Sequence, residues 1–316
     1  MIQAPFMMDF FKLKHKTYHS QHFSQDNNLR NNILCSYDLN QNPHVREGNY
    51  ILFTYAQWMK EVLKDLSLRI QAVIGLMTDP FERGKELCQG ADGTPTTQID
   101  KLAENTVLSY LEENGVELNV LSEEIGFVDR GAAKTLVLDP IDGTYNSIMG
   151  VPLYTVSMAI GTERLRDIEI AYIRNLVTDD VYYAAKDQGA YLNGLRVHGC
   201  TYKSLQDLVM IMYLGNGVHP DTFRLVKSVR RTRAYGCASI EMCLVGTGAV
   251  DAFIMNSEDY SKRIRVVDIA ASHLFLREAG GEIFDLDGKP LDMGFNLEER
   301  SNFLAVGDPL LKEEIL

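Results

Sequence analysis

Three apolar runs in this chain end on carboxylates. Ser122, Glu123 and Glu124 follow NVL, Asp139 and Asp142 follow TLVL in VLDPIDGTYN, and Asp268 follows IRVV. Ends of strands and starts of helices are where open α/β sheets gather ligand groups. A carboxylate there is inexpensive only if it meets water, a donor or a cation. Carboxylates converging from separate segments would suit a hard divalent cation, and through it phosphate-ester chemistry.

The central segment is the most informative. Pro140 fixes its own φ and pushes Asp139 towards an extended conformation, so Asp139-Pro140-Ile141-Asp142 reads as a turn aiming both carboxylates at one point, with the Ile141 carbonyl between them. Asp-Gly-Thr then opens a short helix, whose free amides at Gly143 and Thr144 suit an anion. Each piece has a plainer reading when taken singly. Asp-Pro and Asp-Gly are ordinary turn formers. Glu123-Glu124 fits a solvated loop, and Asp268 fits a helix N-cap. Their coincidence at the ends of apolar runs favours a site.

Composition limits the alternatives. The chain has 316 residues, of which 46% are apolar and 23% charged, with a formal net charge of -12. Such a surface repels nucleic acid and anionic lipid unless basic residues cluster. No apolar run is long enough to span a bilayer, and the N-terminus lacks a basic-then-apolar signal layout. The 5 cysteines are scattered without a C-x-x-C pair, which suits a reducing cytoplasm. His15, His19, His22 and His44 stand in the first stretch, leaving His198, His219 and His273 widely spaced. Oxygen ligands, and hence Mg²⁺, Mn²⁺ or Ca²⁺, are therefore expected at any metal site.

Residues 1–48 are polar and without apolar period, so a flexible extension is expected there, with Met59 as a plausible alternative start. Val62, Leu66, Ile70, Val73, Ile74 and Met77 recur at helical spacing. CQGADGTPTTQID reads as a loop, KLAENTVLSYLEENG as a second helix, and the segments to about residue 200 as successive strands, with LNG a tight hairpin. After about residue 201, strands and helices alternate, ending in the helix VVDIAASHLFLREAGG, a GEIFDLDGKPL hairpin, and a last strand and helix. Two domains are expected: 49–200, an α+β half carrying most ligands, and 201–316, an α/β half carrying Asp268.

LSEEIG, VLDPIDGTYN and VVDIAASHLFLREAGG resemble, in that order, the three signatures of the inositol monophosphatase-like, Mg²⁺-dependent, lithium-sensitive phosphatases. The resemblance runs from about residue 55 to 316. GADGTPTTQIDKLAE looks like that family's mobile metal loop, and GADGTPT, with YGCASIEMCLVGTGAVDAF, looks closest to the archaeal inositol monophosphatase/fructose-1,6-bisphosphatase branch. Val267 stands where the family usually has Trp before Asp268, which touches only local packing. The resemblance implies a layered α-β-α-β-α sandwich of the sugar phosphatase type, and a homodimer. It implies two or three Mg²⁺ per site, with Mn²⁺ as an alternative. Asp139 would bridge two cations, Asp142 and Asp268 would complete one site, and Glu123 with the Ile141 carbonyl the other. Thr144 and Asp100 would hold and deprotonate the attacking water. Inositol 1-phosphate and fructose 1,6-bisphosphate are the substrates implied.

On the substrate side, Gly236, Cys237 and Ala238 match the place where the family's backbone meets its substrate. Gly143 and Thr144 are further candidates through their helix-start amides, Tyr213 as a sugar-side residue, and Arg233, Arg263 and Arg265 because guanidinium groups grip phosphate in a fork. Three rivals remain open. A phosphatase using an aspartyl-phosphate carries strand-D-x-D-G-T, where this chain has D-x-x-D-G-T. A nucleotide-directed phosphatase would act on NADP or 3′-phosphoadenosine 5′-phosphate. A non-catalytic protein would keep the fold only to bind a metabolite.

Overall fold

The structure, a computed structural model, describes residues 47–316, with side chains from residue 55 onward. The extension expected over residues 1–48, with its histidines, lies outside the described residues, except that the first helix already begins at Glu47. That helix, α1 (Glu47–Gly75), runs well before Met59. Its buried stripe is Ala56, Met59, Leu63, Leu66, Ile70 and Ile74. Val62 and Val73 lie at the stripe's margin, and the helix stops short of Met77. Each fully buried leucine or isoleucine of this kind stabilises by about 1.5–3 kcal/mol.

The Gly/Thr/Pro segment is not an open loop. It folds as an antiparallel hairpin of β1 (Glu86–Gln89) and β2 (Pro95–Thr97). The second helix, α2 (Gln98–Glu113), follows at once. Thr97 and Asp100 form its capping box, so a residue expected to do chemistry also starts a helix.

The strands β3 (Asn119–Ser122), β4 (Gly126–Val128), β5 (Thr135–Asp142), β6 (Thr155–Gly161), β7 (Ile170–Asn175), β8 (Val181–Ala185), β9 (Gly189–Leu192) and β10 (Leu195–Val197) form one sheet, in the order β10-β9-β8-β7-β6-β5-β3-β4. All its neighbours are antiparallel except β3 and β5. Asn193 and Gly194 both take positive φ in the β9–β10 turn, as the LNG signal requires. The short helix α3 (Thr144–Met149) leaves β5 through Gly143, at φ 87°.

The segment Asp139–Asp142 differs from the turn expected. It continues β5, and the turn begins only at Gly143. Asp139 pairs with Ser157 and Asp142 with Thr155, so β5 carries one extra residue there, a β-bulge. Pro140 has no N–H to offer a ladder, and a bulge is where a strand tolerates that.

The second sheet holds β11 (Val209–Met212), β12 (Arg231–Arg233), β13 (Ala252–Met255), β14 (Glu282–Phe284) and β15 (Phe303–Val306), in the order β12-β11-β13-β15-β14. Its helices are α4 (Pro220–Ser228), α5 (Ala238–Gly246) and α6 (Val266–Glu278). The GEIFDLDGKPL segment turns back as expected, with a single bridge between Phe284 and Pro290 flanked by the Asp285 amide on the Lys289 carbonyl at 2.8 Å and the Leu291 amide on the Ile283 carbonyl at 2.9 Å.

Three cores separate the layers. Leu136, Leu138, Val156 and Met158 of the first sheet bury against α1 and α2. Val137, Ala159, Ala171 and Ile173, from that sheet's other face, share a core with α5, α6 and one face of the second sheet. Met210, Met212, Ile254 and Leu304 fill the third core, beyond the second sheet. Because side chains alternate along a strand, each apolar strand feeds two cores at once. The arrangement is helix, sheet, helix, sheet, helix. Residues Ile51–Leu316 form one compact unit.

Candidate active site

Glu123 follows the end of β3, Asp139 stands at the bulge of β5, and Asp268 is in the first turn of α6. One carboxylate oxygen from each lies within 4.8 Å of the others. Asp139 and Asp268 are buried. Burial, with the neighbouring Asp268 and Asp92 charges, raises the Glu123 carboxyl to about 8, against the pull of Arg265. Asp139 is pushed well above the usual carboxylate range by burial and by the charges of Glu123, Asp142 and Asp268. Its own partner is the Ile141 amide, donating at 3.1 Å. Three acids crowded away from water, with less positive charge than negative, suit a divalent cation.

Asp142 is not in that group of three, although its charge reaches Asp139. Ser239 donates to it from both the backbone N, at 2.6 Å, and the hydroxyl, at 2.5 Å. The Ala238 amide at 3.2 Å and the Cys237 thiol at 3.2 Å complete the set. Thr155 lies 2.7 Å from the Ser239 hydroxyl and ties the network back to β6. Burial still raises the Asp142 carboxyl, and these donors oppose the rise. Thus the start of α5 meets the end of β5. Burial and the Asp142 charge hold the Cys237 thiol well above its ordinary pKa, which suits a packed donor rather than a nucleophile.

The Thr144 hydroxyl lies 2.9 Å from Asp100 Oδ1 and 2.9 Å from the Ile141 carbonyl. A hydroxyl has one proton, so one contact at a time is a full donation. Asp100 also accepts from the Thr97 hydroxyl at 2.6 Å. Burial raises its carboxyl, while the hydrogen bonds from Thr97 and Thr144 pull it down.

The expected phosphate-side residues separate. The backbone at Gly236 is pinned by Glu241, which accepts from the Tyr235 amide at 2.5 Å and the Gly236 amide at 3.1 Å. Tyr213 donates to the Asn216 carbonyl at 2.7 Å. Arg233 is exposed and donates to the Thr232 carbonyl at 2.8 Å. Arg263 donates to the Ser257 carbonyl at 3.1 Å and lies over the Tyr260 ring at 5.5 Å. Arg265 instead faces the acids. It donates to Glu123 from Nη1 at 2.7 Å, and to Asp268 from Nη2 at 2.7 Å and Nε at 3.1 Å. The same Nη1 meets Asp92 of the β1–β2 hairpin.

Sequence reasoning missed Asp92, Ser239, Glu241 and the supporting Glu104. Glu104 is fully buried and accepts from the Ile125 amide at 3.1 Å, fixing the chain just beyond Glu123. A polar residue inside an apolar helical stretch, as Glu104 and Glu241 both are, was the available signal. Ser239 offered none.

The model of the inositol monophosphatase family matches residues 58–315. A fructose-1,6-bisphosphatase/inositol-1-monophosphatase of Methanothermobacter thermautotrophicus is 31% identical over 275 residues, which is 82% of this chain and 95% of that protein. A bifunctional NADP phosphatase/NAD kinase of Methanococcus maripaludis is 31% identical over 276 residues, 80% of this chain but only 47% of that longer protein. The solved structure of an inositol monophosphatase–fructose 1,6-bisphosphatase superposes with a TM-score of 0.70 at 28% identity, covering 81% of this chain and 98% of its own.

Proposed function

The chain belongs to the inositol monophosphatase family, and from that premise we propose that it is a Mg²⁺-dependent phosphoric monoester hydrolase acting on a small sugar or inositol phosphate. Inositol 1-phosphate and fructose 1,6-bisphosphate are the substrates proposed, by analogy with the relatives' names. The observation that carries the reading is the meeting of Glu123, Asp139 and Asp268 within 4.8 Å. These three, with Asp142 and the Ile141 carbonyl, would hold the cations. Bound Mg²⁺ would acidify water and neutralise phosphoryl charge.

The chain's own groups supply the remainder. Thr144 and Asp100 are paired as a hydroxyl that can accept from water and pass a proton to a carboxylate. Burial raises the Asp100 carboxyl, which makes it a better proton acceptor. The amides of Gly143 and Thr144 would meet phosphoryl oxygens as charge develops. Ser239, Cys237 and Ala238 would keep Asp142 in place. Asp92 and Arg265 lie beside the acids, and Gly236 lies near the start of α5, where a substrate would approach. In the same reading, residues 49–200 and 201–316 act as two domains, the enzyme is a cytoplasmic homodimer, and Mn²⁺ substitutes for Mg²⁺. Among the described residues, no helix is long and apolar enough to cross a membrane.

A second reading, hydrolysis of the NADP 2′-phosphate, is favoured by the likeness to the NADP phosphatase/NAD kinase. One experiment separates the two. Phosphate release is measured from inositol 1-phosphate, fructose 1,6-bisphosphate, NADP and 3′-phosphoadenosine 5′-phosphate, with Mg²⁺ and after chelation. Release from the first two, lost on chelation, is expected. Release from NADP alone would shift the assignment. Silence across the panel would return the non-catalytic reading, and ¹⁸O from water in an enzyme carboxylate would favour the aspartyl-phosphate rival.

A further inference from the structure

The Arg265 guanidinium lies among three acids, Asp92, Glu123 and Asp268. Its side chain is only 13% exposed. Nε and Nη2 make a fork onto Asp268, at 3.1 and 2.7 Å, while Nη1 reaches Glu123 at 2.7 Å and also Asp92. Two of those three acids belong to the proposed cation group. The third is at the tip of the β1–β2 hairpin, on a strand pair whose β1 residues are all exposed.

The hairpin tip has few other anchors. The Ala91 amide donates to the Glu124 carbonyl at 2.9 Å, and the Asp92 amide to the Glu123 carbonyl at 3.3 Å. Arg300 donates to the Asp92 carbonyl at 3.2 Å. With so little apolar contact from β1, the buried Asp92 carboxylate paired with Arg265 is the strong tie. Hydrogen bonds between ionised partners are about twice as strong as neutral ones.

We propose that Arg265 is a resident counter-cation that ties the Asp92 hairpin tip to Glu123 and Asp268, and competes with divalent ions for those two carboxylates. This rests on reading the acid group as a cation site. Guanidinium and divalent ion cannot take the same carboxylate oxygens at full strength, so a loaded site draws Glu123 and Asp268 away from Arg265. Asp268 lies three residues from Arg265 on the same helix start, so the arginine need only swing to let go. In the cation-free protein it offsets part of the repulsion among the acids and keeps the hairpin seated. Nothing in the proposal requires Arg265 to touch substrate.

The test uses the full chain, with Mn²⁺ alone as the probe. Hydrogen exchange is followed at the Ala91 and Asp92 amides in cation-free protein, and Mn²⁺ affinity is measured from the paramagnetic signal of free ion. In Arg265→Gln, exchange at both amides should quicken about tenfold and Mn²⁺ should bind about tenfold tighter, the scale of one charge-assisted hydrogen bond. Asp92→Asn, which leaves the three-acid group intact, should quicken the same amides and guards against a folding defect in the first variant. Unchanged exchange in both variants, or Mn²⁺ affinity unchanged or weakened in Arg265→Gln, would overturn the proposal. If the wild-type protein binds no Mn²⁺, the cation site itself fails and the proposal fails with it. Binding that Asp139→Asn weakens and Arg265→Gln leaves alone overturns the counter-cation role only.

Discussion

Thr144 and Asp100 meet hydroxyl to carboxylate at 2.9 Å, although 44 residues separate them in the chain. Each is placed by a local device. Asp100 is fixed by the capping box that starts α2, and Thr144 opens α3 directly after the positive-φ Gly143. A proton on the threonine side thus has a buried carboxylate within reach. Thr144→Ala is expected to lower kcat about 10²–10⁴-fold with little change in KM. Steady-state kinetics on the substrate that responds in the panel check this. A variant that loses KM and keeps kcat would place Thr144 in binding only.

Asp139 is the most crowded acid. In Asp139→Asn, activity should fall to background. The cation-free protein should melt higher than wild type at neutral pH, because a group that is costly to ionise in the fold has been removed from a repelling set. Mg²⁺ should then add less to the melting temperature than it adds to wild type. Thermal melts with and without Mg²⁺ read both effects. Equal Mg²⁺ stabilisation in the two proteins would contradict the cation assignment.

Glu123 gives the site a pH signature. In the unfolded chain it ionises near 4.5, and in the cation-free fold at about 8. A raised folded value means that the folded state holds the proton longer. Stability of the cation-free protein should therefore fall as pH rises from about 4.5 towards 8, with no further loss from this group beyond that. Mn²⁺ affinity should rise over the same window, since the ion displaces the proton. Denaturant melts and Mn²⁺ titrations at several pH values test it. A flat affinity across that range would remove Glu123 from the ligand set.

Ser239 is predicted to matter through Asp142. Ser239→Ala removes the hydroxyl donor at 2.5 Å and leaves the Thr155 hydroxyl without its neighbour. A loss of about 1–3 kcal/mol in urea unfolding is expected. Cation affinity should weaken as the Asp142 carboxylate loses its fixed direction. Asp142→Asn made in the Ser239→Ala background should add less than it does alone. Full additivity would mean that the two side chains act independently.

Glu241 gives a second pH signature, outside the three-acid group. It is buried and holds its proton until about 7, against 4.5 when free, because burial outweighs the two backbone donors. Its penalty therefore grows as pH climbs through that interval and is complete above it. Glu241→Gln keeps an oxygen for the Tyr235 and Gly236 amides. It should flatten this part of the pH–stability curve and be the more stable protein near pH 8. A slope matching wild type would show that Glu241 does not titrate there.

Much of this was legible because strands and helices announce themselves by period. The runs NVLS, TLVL and VMIM became β3, β5 and β11, and the acids at or after the ends of β3 and β5 came out where apolar runs stop. What stayed hidden depends on three-dimensional pairing. That Arg265 lies among Asp92, Glu123 and Asp268 shows only when α6 and the β1–β2 hairpin are brought together around it. Asp92 lay in a stretch expected as open loop, because Gly and Pro mask the pairing of Glu86–Gln89 with Pro95–Thr97. Pro140 signalled a turn, and only the neighbouring β6 reveals an extra residue within a continuing strand. Asp142, grouped from sequence with the cation-facing acids, also accepts from donors at the start of α5, a contact no local pattern encodes.

That extra residue in β5 also decides which way two side chains point. In a regular strand, positions separated by an odd number of residues face opposite sides, so 139 and 142 would diverge. Here they stand opposite Ser157 and Thr155, two positions of even separation on β6, so the parity is restored and both carboxylates emerge on one side of the sheet. The bulge, more than the identity of Ile141, is what keeps the two carboxylates together. If residues 139–142 paired with β6 as a regular strand of the same length, one aspartate would turn to the far face, with the composition untouched.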